Sequence, residues 1–338
     1  MNDKPIAYSI LDLAVVTKGS SINDTIKNTV SLAQKAEEFG YTRYWLAEHH
    51  NMPAIASTAT AILIGHVAQA TTTLKLGSGG IMLPNHSPLI VAEQFGTLGT
   101  MYPNRIDLGI GRAPGTDQET ARAIRSDFMD AAHSFPEEIE KIQKYFSINN
   151  QNAKVRAPVA EGVSVPIFIL GSSTDSAHLA ARKGLPYAFA SHFATAQLFP
   201  ALEIYRKEFM PSPELEKPYI LAGINIFVAD TDQEAERMAT SFIKMIVSLL
   251  TGAKREALDE ACDMTPELRE TLEHPAVKQM TLYTFIGSKS KVKNELKDFL
   301  DKTGVDELIV TTNCHNQKSR IKSYQLVAEI INELNDDK

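Results

Sequence analysis

The sequence predicts an α/β fold, a (β/α)8 or TIM barrel with insertions, and two observations support that prediction. Short apolar segments alternate with stretches of helical length along the 338-residue chain. Strands that are separated by helices must pair in parallel, and eight in succession favour a closed barrel over an open, doubly wound sheet. Polar or glycine-rich residues also follow several of these segments at the same end, where a barrel builds its ligand site.

The predicted strands are short runs of apolar and β-branched residues between turn residues. They cover Ile6–Val16, Tyr44–Leu46, Leu74–Leu83, Arg105–Gly111, Pro166–Leu170, Tyr187–Ala190, Tyr219–Val228 and Asp306–Thr312.

The predicted helices begin at capping residues and carry one apolar face. The expected N-caps are Asn23 or Asp24 for the first helix, Ser57 or Thr58 for the second, and Ser87, before Pro88, for the third. The apolar faces of the first two helices are expected to contain Ile26, Val30, Ala33 and Ala36, and then Ile62, Leu63 and Val67. Later helices are expected over 135–146, up to Gly184, through Tyr205, from Asp230-Thr231-Asp232 to Leu250, and over Ser319–Leu334.

The chain is longer than eight β/α units require. The additional residues fall in three predicted insertions, at about 113–132, 147–165 and 251–284. No repeat, low-complexity tract or linker divides the chain. We therefore predict a single domain over residues 1–338.

Composition excludes several classes of function. Hydrophobic residues make up 43% of the chain, as in an ordinary globular protein, and the net charge of −7 argues against nucleic acid as a partner. Cys262 and Cys314 form no CxxC motif, and no apolar run has the length of a signal peptide or a membrane span. We expect a cytoplasmic protein without a membrane partner.

The cluster Glu48-His49-His50 ends the second predicted strand. Neighbouring side chains of a strand point to opposite faces, so Glu48 pairs more naturally with His50 than with His49. No strand end carries the His-x-His pattern of a barrel metallohydrolase, so no metal site is predicted. One histidine can still manage a proton at a reaction centre, although a hydrogen-bonded structural histidine remains an equal alternative.

Three glycine-rich segments lie within or directly after predicted strands and suit a bound ligand. They are Gly77-Ser78-Gly79-Gly80, Gly109-Ile110-Gly111-Arg112 and Gly171-Ser172-Ser173-Thr174-Asp175-Ser176. Glycine within a strand marks a bulge or a close approach by ligand or backbone. Arg112 could bind an anion or form a surface salt bridge. The hydroxyls of Ser172, Ser173 and Ser176 suit a phosphate at a helix start or an ordinary N-cap.

In this order, the motifs from Trp45 to His50, from Gly77 to Pro84 and from Arg105 to Arg112 resemble the bacterial luciferase-like flavin monooxygenases. The resemblance extends over nearly the whole chain and is greatest to the single-chain luciferase-like oxidoreductases. It implies a (β/α)8 barrel that binds FMN at the carboxyl ends of its strands and works as a homodimer.

The resemblance also implies roles for individual residues. His49 matches the catalytic histidine, while Gly79-Gly80 matches a cis peptide bond beneath the flavin ring, where glycine would leave room for the isoalloxazine. Arg112, Ser173 and Ser176 match phosphate-binding positions. The sequence departs from the family at Gly111, which replaces a reactive cysteine. A second phosphate-binding arginine does not align, and Arg122 and Arg125 are candidates by proximity alone.

The resemblance therefore implies a monooxygenase that takes reduced FMN from a separate NAD(P)H:flavin reductase. It would oxidise a small organic substrate with oxygen through a peroxyflavin intermediate. His49 would control one proton, and Glu48 and His50 would complete the catalytic group. Three alternatives stay open: an F420-dependent hydride-transfer oxidoreductase, a flavin-binding protein without catalysis, and a barrel hydrolase.

Overall fold

A computed structural model describes residues 4–253 and 255–337 of the chain. The prediction that the chain has no signal peptide includes residues 1–3, which lie outside these ranges. Eight parallel strands close into a barrel with helices between them, which confirms the predicted fold class.

Over residues 4–253 and 255–337, the sheet contains ten strands, two more than the sequence predicts. In chain order they are β1 (Ala7–Asp12), β2 (Arg43–Leu46), β3 (Lys75–Ser78), β4 (Ile81–Met82), β5 (Ile106–Gly111), β6 (Ile167–Gly171), β7 (Tyr187–Phe189), β8 (Ile220–Ala229), β9 (Thr284–Ser288) and β10 (Glu307–Thr311). The barrel closes at β10, where Val310 lies opposite Ile10 of β1 and Ile224 of β8. The last part of β8 continues beyond β10 and pairs with β9.

In the part of the chain that the structure describes, thirteen α-helices connect or follow these strands. They are α1 (Ile22–Glu38), α2 (Thr60–Gln69), α3 (Pro88–Met101), α4 (Gln118–Ile124), α5 (Phe128–His133), α6 (Phe135–Phe146), α7 (Thr174–Lys183), α8 (Leu198–Glu208), α9 (Asp232–Thr251), α10 (Pro266–Glu273), α11 (Pro275–Met280), α12 (Lys289–Thr303) and α13 (Gln317–Asp336).

The caps of the first two helices differ from the prediction. Ser21 is the N-cap of α1, because Asp24 lies at the third helical position and completes a capping box with it. Ser57 donates its hydroxyl hydrogen bond to the Ala47 carbonyl and does not cap α2. Ile62 of α2 is 73% exposed, so the prediction that it belongs to the buried apolar face of this helix is wrong.

The third predicted strand is interrupted at its glycines. β3 ends at Ser78, the Gly79–Gly80 peptide bond is cis, and β4 then pairs with β5. A Cβ at Gly79 would approach Leu11 Cδ1 to 2.6 Å, and one at Gly80 would approach the Gly109 carbonyl oxygen to 2.8 Å. These glycines are thus required by packing against the barrel, and the expectation that they also leave room for a ligand stays a prediction.

A buried charged cluster fills the amino-terminal part of the barrel. Arg43 Nη1 lies 2.6 Å from Asp107 Oδ2, and Arg43 Nε lies 2.8 Å from Glu307 Oε1. Trp45 Nε1 donates to Asp107 Oδ2 at 3.1 Å. The cluster joins β2, β5 and β10, so burial of the guanidinium between two carboxylates ties together strands that are distant in sequence.

The insertions contain more regular structure than the sequence indicates. Residues 113–132 form α4 and most of α5, and 251–284 holds α10 and α11 before β9 begins. Within the described ranges, no helix is long and apolar enough to cross a membrane.

Candidate active site

A cavity of about 2270 Å³ opens at the carboxyl ends of the barrel strands. Its floor contains side chains from the ends of several strands, including Leu11, Trp45, Leu170 and Ile309. A pocket for one small ligand occupies about 300–1,000 Å³, so this cavity can hold a large cofactor together with a substrate.

Glu48 is the centre of a hydrogen-bonded group at one side of the cavity. Its Oε1 lies 2.8 Å from Nε2 of both His50 and His86, and its Oε2 accepts from the Met82 backbone N–H at 3.1 Å. Burial alone would raise the pKa of Glu48, but the hydrogen bonds from His50 and His86 lower it to about 2. The pairing of Glu48 with His50 follows the prediction, whereas His86 was missed because it lies 38 residues further along the chain.

His49 also lines the cavity but has no hydrogen bond to Glu48 within the described residues. Its Nδ1 lies 3.2 Å from the Gly115 carbonyl oxygen. A carbonyl can only accept, so in the neutral ring Nδ1 carries the hydrogen and Nε2 keeps a free lone pair. Burial lowers the pKa of His49, which favours this neutral form. The side chain can therefore accept a proton from a bound molecule.

His192 lines the same cavity and was not predicted as a site residue. It follows β7, at the strand end where barrels place functional groups, and this position was the available signal. Its Nδ1 is shielded from solvent and has no hydrogen-bond partner within the described part of the chain. Burial, together with the neighbouring His49, lowers the pKa of His192 to about 4.

The other end of the cavity carries donors suited to an anion. Arg112 is 53% exposed there, and its Nη2 lies 3.3 Å from Asp175 Oδ2. Ser172 and Ser173 line the cavity beside it, at the start of α7. Ser173 is the N-cap of α7, but its hydroxyl makes no capping hydrogen bond. A guanidinium, two hydroxyls and a helix start form a set of donors for a phosphate.

Two other predicted phosphate ligands are engaged with the protein. The Ser176 hydroxyl donates to the Ser173 carbonyl at 2.6 Å and lies 2.9 Å from the Tyr187 hydroxyl. Arg125 donates to the His86 carbonyl at 2.7 Å and forms ion pairs with Asp127 and Glu138. Their phosphate-binding roles stay predictions, as does that of Arg122.

The cavity also fits the ring system of a flavin. Gly79, Met82 and Gly111 line the cavity together with the apolar floor and the donors around Arg112. An aromatic ring needs such an apolar surface, and a phosphate attached to it needs the donors around Arg112. Among residues 4–253 and 255–337, no group of three or more histidine, cysteine or acidic side chains is arranged to hold a metal ion.

The outer wall of the cavity is apolar. It is formed by α9, through Phe242, Met245 and Ile246, and by Leu258 of the third insertion, whose backbone pairs with Val16 and Lys18. The sequence shows these α9 residues as an apolar stripe, which is equally typical of a helix that packs on the core.

Comparison with known proteins places the chain among monooxygenases. The family model for luciferase-like monooxygenases matches residues 7–307. A luciferase-like monooxygenase of Escherichia coli (strain K12) is 46% identical over 334 residues, 99% of each chain. An N-acetyl-S-alkylcysteine monooxygenase of Bacillus subtilis (strain 168) is 33% identical over 338 residues, covering 96% of this chain and 98% of that one.

Solved structures share the barrel. Apo-MsnO8 superposes with a TM-score of 0.87 at 31% identity, over 97% of this chain and 98% of that one. The oxygenating constituent of 3,6-diketocamphane monooxygenase, in complex with FMN, has a TM-score of 0.73 over 96% and 97% of the two chains. An F420-dependent secondary alcohol dehydrogenase has a TM-score of 0.71 over 97% and 99%. Both of the latter are 15% identical and show the fold alone.

Proposed function

Because the chain belongs to the luciferase-like monooxygenase family, we propose that it is an FMN-dependent monooxygenase that oxidises a small organic substrate with molecular oxygen. When bound, reduced FMN supplies the reaction with oxygen. The observation that supports this proposal most is the cavity itself, which has an apolar floor, phosphate donors at one end and a neutral histidine at the other.

In this proposal the chain's residues bind the cofactor and control one proton. Arg112, Ser172 and Ser173 hold the phosphate, and the floor around Trp45 and Gly79 supports the ring. His49 Nε2 accepts a proton at the reacting centre. Glu48 fixes His50 and His86, and so stabilises the strand end from which His49 projects.

The proposed partners are a reductase and a second copy of the chain. We propose that reduced FMN comes from a separate NAD(P)H:flavin reductase and that the protein is a homodimer. A monomeric mass in solution at assay concentration would exclude the second proposal.

The role of Arg112 provides a direct test of FMN as the cofactor. We expect Arg112→Ala to weaken FMN binding roughly 10- to 100-fold, because a charge-assisted contact to phosphate contributes about 1.5–3 kcal/mol. Riboflavin, which lacks the phosphate, should bind equally to both proteins. The affinities can be measured from the quenching of flavin fluorescence.

The matched control is Arg156→Ala, since Arg156 pairs with Glu161 outside the cavity. This variant should bind FMN like the unmodified protein. An equal loss of riboflavin and FMN affinity in Arg112→Ala would show that Arg112 does not bind the phosphate. Binding of F420 in place of FMN would reject the proposed cofactor.

A further inference from the structure

We propose that His192 is a substrate-binding residue whose Nε2–H donates a hydrogen bond to a neutral oxygen acceptor on an otherwise apolar substrate. The identity of the reaction rests on the proposed function, but the hydrogen bond from His192 to the substrate oxygen does not. Four features of the structure support it: the packing of the ring, its two nitrogens, its position relative to His49 and the apolar wall opposite.

The backbone around His192 is built to hold its ring in place. A Cβ on Gly223 of β8 would collide with His192 Nδ1, so glycine makes the space that the ring occupies. The Ser191 hydroxyl donates to the Gly223 carbonyl at 2.6 Å, and Asn225 Nδ2 donates to the His192 carbonyl at 2.7 Å. Asn225 is held in turn by the Thr311 hydroxyl at 2.6 Å. The ring position is therefore determined by β8 and β10.

The two ring nitrogens of His192 are in different surroundings. Nδ1 faces the β8 backbone, without solvent or a partner among the described residues. A hydrogen on Nδ1 would be a buried donor without an acceptor, which folded proteins avoid more strictly than an acceptor without a donor. The neutral ring therefore carries its hydrogen on Nε2. The lowered pKa keeps the ring neutral, so it offers one donor and no positive charge.

His49 and His192 are complementary across the cavity. Nε2 of His49 has a free lone pair because Nδ1 is bound to the Gly115 carbonyl, whereas Nε2 of His192 carries a hydrogen. One ring can accept a proton and the other can donate a hydrogen bond. A substrate placed between them can be oriented by His192 while His49 acts on its reacting centre.

The wall near these rings indicates the chemical class of the substrate. Phe242, Met245 and Ile246 are apolar. Arg255 also lines the cavity, but its guanidinium donates to Ser248 Oγ at 2.6 Å, to the Lys244 carbonyl at 2.7 Å and to Asp259 at 2.6 Å. Because the Arg255 guanidinium is already hydrogen-bonded within the protein and the His192 ring is neutral, neither group attracts a carboxylate. They fit an uncharged molecule with an oxygen acceptor on an apolar body.

The test uses two probes of similar shape, 2-octanone and 2-methyl-1-octene. In the alkene, a CH2 group replaces the carbonyl oxygen of the ketone. Each is titrated into the full-length protein with FMN present, and binding is followed by NMR of protein labelled with ¹⁵N in its histidine rings. We expect the ketone to bind roughly three- to tenfold more tightly than the alkene, the effect of one net hydrogen bond. We also expect the ¹⁵N shifts of His192 to show a hydrogen on Nε2 before either probe is added.

Two variants and a control separate this role from ring packing against Phe193, whose ring centroid lies 4.9 Å away. His192→Phe should lose the preference for the ketone, and His192→Gln, which keeps a donor, should retain part of it. His178→Phe is the control, because His178 pairs with Glu208 outside the cavity and should leave the preference unchanged.

The proposal is overturned if neither probe binds, if both bind equally to the unmodified protein, or if the preference persists in His192→Phe. A hydrogen on Nδ1 would also overturn it, and this readout requires no variant. FMN affinity is measured on the same samples. Failure of FMN to bind while the ketone preference holds would reject the proposed function and leave the His192 assignment standing.

Discussion

His49 differs from His50 and His86 because it bonds a backbone carbonyl and not the Glu48 carboxylate. We expect His49→Ala to bind FMN normally but to reduce turnover about 10²–10⁴-fold, the usual contribution of a general acid or base. Since burial lowers the pKa of His49, the neutral base is present at pH 7. Activity should decline only when the pH falls below the ordinary pKa of histidine.

The measurement is the pH profile of substrate oxidation with reduced FMN supplied by a reductase. His178→Ala, a substitution outside the cavity, should reproduce the unmodified profile. Full activity of His49→Ala would remove His49 from the mechanism. Loss of FMN binding in that variant would instead show that its role is to support the cofactor.

Among individual residues, the sequence predicts some side-chain contacts and misses others. The alternation of side chains along a strand predicted that Glu48 would face His50, and the structure has that contact at 2.8 Å, although β2 itself ends at Leu46. It could not reveal His86, because only the folded loop after β4 brings that ring to Glu48. Of the two readings of Arg112, the structure has the surface salt bridge, in which Asp175 contacts the exposed guanidinium, and the binding of an anion stays a prediction.

The strands of the barrel depend on the charged cluster of Arg43, Asp107 and Glu307. We expect Arg43→Met to lower the free energy of unfolding by about 3–5 kcal/mol, because it leaves two buried carboxylates without their cation. Urea denaturation, followed by tryptophan fluorescence, measures this change.

The control for that prediction is Lys35→Ala on α1. Lys35 forms an exposed ion pair with Glu38 at 2.6 Å, and exposed pairs contribute little. Its loss should change stability by less than about 0.5 kcal/mol. If the two variants have equal stability, the buried cluster does not hold the barrel together.

The sequence predicts the ends of helices where a single capping residue determines them. Gly184 ends α7 with a φ of 61°, and Thr231 caps α9, as their sequences indicate. β9 was missed because it is five residues long and depends on the extension of β8 beyond β10. α12 was also not predicted, although its apolar positions Val292, Leu296 and Phe299 have helical spacing.

The whole barrel explains why residues distant in sequence form one site. Parallel strands end at the same face, so the ends of β2, β5, β6 and β7 bring His49, Arg112, Ser173 and His192 to one cavity. That convergence could be predicted from the alternation of strands and helices. The outer wall could not, because the α9 stripe and the chain around Leu258 have no pattern that distinguishes a ligand wall from core packing.

The central claim, that this barrel binds reduced FMN and directs its reaction with oxygen, is tested most directly by anaerobic titration with reduced FMN followed by rapid mixing with oxygen. Recording the flavin spectrum with and without the protein separates bound from free cofactor. We predict tight binding and a species distinct from both reduced and oxidised flavin that outlives the reaction of free FMN. Failure to bind FMN in either redox state would contradict the account.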